Sequence, residues 1–525
     1  WKNGNQIINN KHFPRLVRLI GSNSNSTIKD NSSNNDSLIL VDGGSTLILD
    51  NLTLEGGLNG VYGTRNSNVL FNNVTINGFS NRGISITDSS YLGVDEGGVN
   101  ILGNNAERGI NLSTGSSGWI YNAVISNVKR GITVYGGSMT YIKNFDIAGG
   151  ERGINVSASK FLKYDNDGTG LGKIKSTSDK AIAVYDSVFT NWESGRLEIS
   201  DLASGRGLDI VRSSVDISYM SIIGNNSSSE NLVDVRNSHF NIQHVSLSES
   251  GRHGLNLEGS NGYLDNASIS NSNRSGLYVS GSILGVERLS IENNQDHGIE
   301  IKKVSSIRGG WKDENDSSLP QYMIEINNNS KSGIYSSDNA FVEIKNAEIK
   351  NNGEHGIDLK RNSNLDLEVS TIESNQECGI SVQRNSIAGF AHVNISSNQE
   401  DGICVDKKSI LDFSADDNYG TPTIISNNSE SGINAANNVF IDFDDDVDLR
   451  INGNSQSINL GHDTEMDVEE AELTIDSPIN CWSNYAVDPS DSNITQSSDF
   501  PVIKFDYSDN LPEISSNCRI ILPNN

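Results

Sequence analysis

Hydrophobic positions along this chain recur with two nested periods. The short one is two residues. In Val342-Glu343-Ile344, Ala347-Glu348-Ile349 and Ile357-Asp358-Leu359 an aliphatic fills every second position, which is the alternation of a half-buried strand and not a helical period of about 3.6. Clusters of Asn, Gly and Ser separate these runs and supply turns that tolerate left-handed backbone.

The long period is a tetrad of Gly, Ile or Leu, a variable residue and a second aliphatic. It reads Gly83-Ile84-Ser85-Ile86, Gly109-Ile110-Asn111-Leu112, Gly131-Ile132-Thr133-Val134 and Gly153-Ile154-Asn155-Val156, and continues as far as Gly432-Ile433. Degenerate copies stand at Ala181-Ile182-Ala183-Val184 and Leu232-Val233-Asp234-Val235, with fainter ones at Leu16, Ser37, Gly60 and Ser457. The spacing, mostly about 22–26 residues over about 19 copies, is that of a solenoid. Three short strands and three turns per period make one coil of an all-β, single-stranded, right-handed parallel β-helix. One coil cannot bury its own apolar face, so coils stack at about 4.8 Å into an expected rod of roughly 90 Å. A leucine-rich repeat is rejected, because Ile and Val dominate and no helix-period segment occurs. The pattern predicts an N-terminal cap and first coil over residues 1–36, the β-helix over 37–462, and a C-terminal cap or tail over 463–525.

Asn stands four residues before the tetrad Gly at Asn105, Asn127, Asn294, Asn329, Asn352, Asn375, Asn398 and Asn428. Same-phase amides on stacked coils are expected to hydrogen-bond as a ladder. This explains much of an unusual composition: about 69 Asn and 50 Gly but only 8 Pro among 525 residues. The formal charge is −28, which argues against a nucleic-acid partner, since phosphate binding needs Lys and Arg to replace counterions. No uninterrupted apolar run of about 20 residues is present, which argues against membrane insertion. The chain begins at Trp1 without a leader, as expected of a mature form or a fragment. Of the four cysteines, Cys481 and Cys518 share the atypical tail and are a candidate pair. Cys378 and Cys404 sit at different phases of the repeat and are expected as free thiols.

The run Asn351-Asn352-Gly353-Glu354-His355-Gly356-Ile357-Asp358-Leu359 and its copies resemble the right-handed parallel β-helix repeats of the pectate-lyase-like superfamily, over roughly residues 37–460. That superfamily includes polysaccharide lyases and hydrolases, phage tailspikes and secreted surface proteins. The resemblance implies the fold and leaves function open. No stretch maps onto the calcium ligands or catalytic Arg of pectate lyases, or onto the polygalacturonase residues, so no catalytic residue is carried over.

Candidate chemistry follows from the columns. The residue between the two tetrad aliphatics points outward, and near the middle of the series this column becomes Asp209, Asp234, Asn256, Tyr278, Glu300, Tyr335 and Asp358. Asp209 and Asp234 fall on successive coils, roughly 5 Å apart, a separation that suits a retaining glycosidase pair. Such close like charges should separate their pKa values and leave one as an acid. With Glu300 they are the candidate catalytic residues; a solvated acidic column is the plain alternative. Immediately before the tetrad Gly runs a second column: Arg82, Arg108, Arg130, Arg152, Lys180 and Arg206, then His253, His297 and His355. Glu107, Glu151 and Asp179 could neutralise it into an Arg/carboxylate lattice. Alternatively Arg108, Arg130, Arg152 and Arg206 form a cationic stripe for an anionic glycan. The His residues are expected to be solvated at turns and do not form a metal cluster.

Insertions add further candidates. The longest, between Gly298 and Gly333, carries Arg308-Gly309-Gly310-Trp311-Lys312-Asp313-Glu314. Trp311, with Tyr278 and Tyr335, is a candidate for stacking on sugar rings, although Trp311 could equally cover an apolar gap. Asp165-Asn166-Asp167-Gly168 looks like part of a calcium loop, but the further ligands are missing. A surface turn is the simpler reading of Asp165 and Asp167, and no other cofactor or metal site is expected.

The combined expectation is an extracellular, cell-surface or virion-surface β-helix with structural and glycan-binding roles, its partner a polysaccharide or cell-surface glycan. A homotrimer would suit a viral spike. The alternatives are a polysaccharide hydrolase or lyase acting in a mid-helix groove, and a purely structural fibre.

Overall fold

The computed structural model describes residues 6–8, 16–22, 26–30, 36–165, 168–191, 195–203, 205–311, 322–414, 421–444, 447–461, 463–468, 472–481, 502–505, 514 and 519–521. Among these there are strands and turns but no helix. The chain winds as a right-handed parallel β-solenoid of about 18 turns. It divides into two compact units, Trp1–Gly262 and Tyr263–Asn525.

In the first unit each coil gives one strand to each of three parallel sheets. The tetrad strands form one of them. There Arg82–Ile86 pairs with the end of Val99–Leu112, which pairs with the end of Ser117–Tyr135, and Arg152–Ser157, Lys180–Tyr185, Arg206–Val211 and Val233–Arg236 follow in turn. The first tetrad aliphatics, Ile84, Ile110, Ile132, Ile154, Ile182 and Leu208, stack coil on coil and are fully buried. Each such side chain contributes about 1.5–3 kcal/mol on leaving water. Strand pairing begins before the first clear tetrad, since Gln6–Ile8 pairs with Ile39–Val41 and Leu16–Ile20 with Thr46–Glu55.

Between the tetrad strand and the next strand lies a column that the pattern had hidden among ordinary turn residues. Ser116, Ser138, Ser159, Ser187, Ser213 and Ser238 are buried, and the N–H of each donates to the hydroxyl of the next at 3.0–3.2 Å. These bonds satisfy corner donors that water cannot reach.

The serine column continues in the second unit, where the Ser282 N–H donates to Ser305 at 3.4 Å and the Ser363 N–H to Ser386 at 3.3 Å, and a column of amides is added at the corner before the tetrad. From Asn294 through Asn329, Asn352, Asn375, Asn398 and Asn428 to Asn454, each Nδ2 donates to the next Oδ1 at 2.9–3.1 Å. This is the expected ladder. Asn105 and Asn127 do not join it: both are exposed, with φ of 58° and 55°. The buried Ala106 and Val128 fill those corners, leaving the Asn residues to make left-handed turns. The tetrad Gly also has a reason beyond the turn. A Cβ on Gly356 would sit 2.5 Å from Ile372 Cγ2, 2.6 Å from Gly379 O and 2.8 Å from Asn375 Nδ2, so only glycine lets the ladder and the next coil approach.

One cysteine expectation is overturned. Cys378 and Cys404 form a disulfide, with Cα atoms 6.1 Å apart. Their different phases are compensated by the step from one coil to the next: Cys378 precedes the tetrad Gly of its coil, and Cys404 follows the tetrad Ile of the coil above. Cys481 is disulfide-bonded, and Cys518 lies outside the described residues. In the tail, Glu465–Val468 pairs in parallel with Val502–Phe505, which pairs with Arg519–Ile521.

Candidate functional site

In the first unit the basic column is a column in space. Arg82, Arg108, Arg130, Arg152, Lys180 and Arg206 are successive register partners. Their long side chains lie over the outward tetrad residue three positions on. Arg82 donates to Ser85 at 3.3 Å, Arg108 to Asn111 at 2.6 Å and Arg152 to Asn155 at 3.1 Å. The outward column is therefore roofed and not solvated: Ser85, Asn111 and Asp209 are fully buried and Asp234 is 3 % exposed. Alternation told which way these residues point; it could not tell that flexible apolar stems would cover them.

Ion pairing changes along the column. Arg130 shares Glu107 with Lys129, at 3.4 and 3.5 Å, and Arg152 meets Asp179 at 2.8 Å. Around Asp209 the pairing is dense, with Lys180 at 2.5 Å, Arg236 at 2.7 Å, Arg206 at 3.4 Å and the Tyr185 hydroxyl at 2.7 Å. Arg206 also reaches Asp234 at 3.0 Å and Glu230 at 2.8 Å. Asp209 and Asp234 are register partners, but cations intervene where mutual repulsion was expected to raise one carboxyl. Burial opposes the Asp209 charge, yet hydrogen bonds from Lys180, Tyr185 and Arg236 outweigh it and hold the carboxyl at about 2. Tyr185 and Arg236 were not singled out from the sequence. Their signal was the same alternation, two places beyond the outward residue.

At the other end of the column, Arg82 and Arg108 meet no carboxylate among the described residues. The Nε donors of Arg82, Arg108 and Arg130 are buried without a hydrogen-bond partner. Arg108 also lies over the Tyr135 ring at 5.5 Å.

In the second unit Glu300 is register partner to Tyr278 on one coil and Tyr335 on the next. Glu300 is buried and accepts from Ser275 at 2.7 Å and Lys302 at 2.5 Å. Burial opposes its charge, but these two partners pull the carboxyl below its ordinary value. His297, and His253 in the first unit, are buried, contrary to the solvated turn residues expected. Burial lowers the His297 pKa, its ring stacks on Tyr335 at 4.8 Å, and its Nδ1 has no hydrogen-bond partner. Lys302 and Lys360 approach the Tyr335 ring at 5.4 and 5.6 Å, so its faces are crowded. Trp311 is 49 % exposed; Lys312, Asp313 and Glu314 lie outside the described residues.

The Asp165 carboxylate is buried and accepts the Gly170 N–H at 2.7 Å, while Asp167 lies outside the described residues. Beside it Lys163 is buried within the first unit, donating to Gly170 O at 3.0 Å. Burial brings its ammonium down to about 8. Among the described residues, Cys378, Glu400 and Cys404 bring potential metal-ligand atoms within 4.8 Å of one another, but the two sulfurs are joined to each other.

Roofed polar columns outside a stacked aliphatic interior define a class, the right-handed β-helices. The model of the family described as "Right handed beta helix region" matches residues 15–167 and 314–447, more than half of the chain, and the chain belongs to that family. Among solved structures it is similar to the A-module of the mannuronan C-5 epimerase AlgE4 of Azotobacter vinelandii, at 12% identity and a TM-score of 0.35, over 66% of this chain and 90% of that one. It is also similar to a variant of the periplasmic alginate epimerase AlgG, at 14% identity and a TM-score of 0.32, over 65% and 78%. The Agl-KA catalytic domain follows at 12% identity and a TM-score of 0.21, over 70% and 62%. No curated protein matches the chain.

Proposed function

We propose that this protein is a β-helix of the cell or virion exterior that binds an anionic polysaccharide or cell-surface glycan along the basic column of its first unit, beside a structural role. One observation carries the proposal: Arg82, Arg108 and Arg130 stack on three consecutive coils as partly exposed guanidinium donors, and among the described residues Arg82 and Arg108 meet no carboxylate. A chain of charge −28 has ample carboxylate to pair with these guanidinium groups, yet among the described residues it leaves two of them without an ion pair. The donors repeat at the coil spacing of about 4.8 Å, comparable to the advance of an extended pyranose chain, and the guanidinium fork suits carboxylate or sulfate. The Cys378–Cys404 disulfide supports an oxidising location. Among the described residues no helix is long and apolar enough to cross a membrane.

The test is titration of pectate, alginate and heparin oligosaccharides at rising salt. Saturable binding that weakens with salt supports the reading; salt-independent binding, or none, ends it. A second reading, hydrolysis or elimination within an acidic polysaccharide, draws on the second unit. There a buried His297 with an unpartnered Nδ1 shares one cluster with Glu300 and Tyr335, a set able to exchange a proton with a substrate. In this reading Asp209 would act only in its ionised form. Release of reducing or unsaturated ends from the same panel tests it.

A further inference from the structure

We propose a second saccharide site in the first unit, on the outer face of the sheet that follows the tetrad strands, where an acidic pyranose ring stacks on Trp119. Outward positions on this sheet should be polar if they only face water. Instead Ile48, Leu70, Gly93, Trp119, Tyr141 and Leu162 follow one another as register partners on six successive coils. Trp119 is 43 % exposed. Tyr141 and Tyr164 lie against it at ring-centroid distances of 5.4 and 5.7 Å, tilted by 30° and 56°, which fixes the indole while leaving part of it open. On the preceding coil its register neighbour is Gly93, over which the Leu70 and Tyr91 side chains fold.

Charge complementarity selects the ligand. Among Ser117–Tyr121, Met139–Lys143 and Lys160–Tyr164 no residue is a carboxylate, although the chain as a whole carries −28; Asp146, further along the Tyr141 strand, faces Lys175 at 3.9 Å. Lys143, two residues beyond Tyr141 on the same strand, lies 3.2 Å from the Tyr121 hydroxyl and 4.9 Å from its ring centroid. Lys160 is exposed and makes no ion pair among the described residues. Alongside runs an open cavity of about 550 Å³ lined by Met139, Lys160, Asp186 and Arg212 among others, and Arg212 donates twice to Asp186 at 2.7 and 2.8 Å. Met139 and Lys160 precede Tyr141 and Leu162 by two residues on the same strands, so cavity and aromatic face adjoin. The apolar face of a pyranose fits the indole, its carboxylate the two lysines, and its hydroxyls the Asp186–Arg212 pair. Trp and Tyr provide this surface at small entropic cost, having few side-chain torsions.

This site uses none of the basic column, so the two can be separated. The experiment measures binding of oligogalacturonate and cello-oligosaccharide hexamers to the full chain in an Arg82→Ala/Arg108→Ala/Arg130→Ala background. Oligogalacturonate should still bind there, in preference to the neutral hexamer, and Trp119→Ala should weaken it by about tenfold or more, with Trp119→Phe retaining part of the affinity. No binding in that background, equal binding of both hexamers, or indifference to Trp119→Ala would each overturn the site. Sedimentation of wild type and Trp119→Ala adds a second arm: a dimer that the substitution dissolves would assign the face to another copy of the chain and also overturn it. Loss of affinity on the arginine substitutions alone reports on the column, whatever happens at Trp119.

Discussion

Arg236 donates to Asp209 at 2.7 Å from the neighbouring coil, closing a cage that Lys180, Arg206 and Tyr185 complete around a fully buried carboxylate. Removing its charge strands cations that were desolvated to meet it. Asp209→Asn should therefore destabilise the first unit by about 3 kcal/mol or more, read as loss of amide-exchange protection in the coils around residue 209.

The same cage sets an acid limb. The folded-state pKa of Asp209 is depressed to about 2 from 3.8, so its contribution is fully present above about pH 4 and is lost as pH falls towards 2. Denaturation curves from pH 5 to 2 should show the wild type losing its advantage over Asp209→Asn across that window. A constant difference between the two would refute the assignment.

Lys163 has the opposite sign. Its folded pKa, about 8, lies below the ordinary 10.5, so between these values the unfolded chain holds the extra proton and stability rises with pH. Lys163→Met removes both the desolvation cost and that rise. The wild type should gain on Lys163→Met between pH 8 and 10, measured by urea unfolding at each pH; parallel curves would count against a buried, easily deprotonated ammonium.

Asn375 accepts from both the N–H and Nδ2 of Asn352, each at 3.0 Å. It donates to Asn398 at 3.0 Å and to Ile349 O at 3.3 Å. Asn375→Ala leaves two buried donors and a carbonyl unmade and should cost about 3 kcal/mol. Asn127 has a similar place in the sequence but an exposed left-handed conformation, so Asn127→Gly should change stability by only a few tenths of a kcal/mol. Equal losses from the two substitutions would contradict the boundary of the ladder.

Arg108 and Arg130 are expected to act on binding more than on folding. Arg108→Ala should reduce affinity for an anionic oligosaccharide by about tenfold, as loss of a charge-assisted hydrogen bond does, and flatten its salt dependence. Arg152→Ala, whose partner Asp179 is already in place, should have the smaller effect on binding. The reverse order would exclude guanidinium groups without a carboxylate partner as the source of affinity.

Much of the site was legible as direction but not as environment. The spacing of Asp209 and Asp234 by one period placed them on adjacent coils, and the Arg column is continuous as read. The sequence could not show that Arg236 and Tyr185 fold back over Asp209, because torsion angles well beyond Cβ decide this. Nor could it show that His297 is buried against Tyr335, or that Cys378 reaches Cys404 diagonally. Trp119 was passed over because an isolated aromatic in an alternating strand looks ordinary until its neighbours on adjacent coils are known.

By itself the sequence determined the parallel coil, its three-strand period, the aliphatic stack and the amide ladder from Asn294 onward, because each follows from a local rule repeated until coils must stack. Only the tertiary structure decided which outward residues meet water and which charges are paired. It also decided which turn residues are buried, as in the serine column, and which cysteines join. Those outcomes depend on contacts between coils about 20 to 30 residues apart, where side-chain length, corner shape and desolvation compete and no local pattern records the winner.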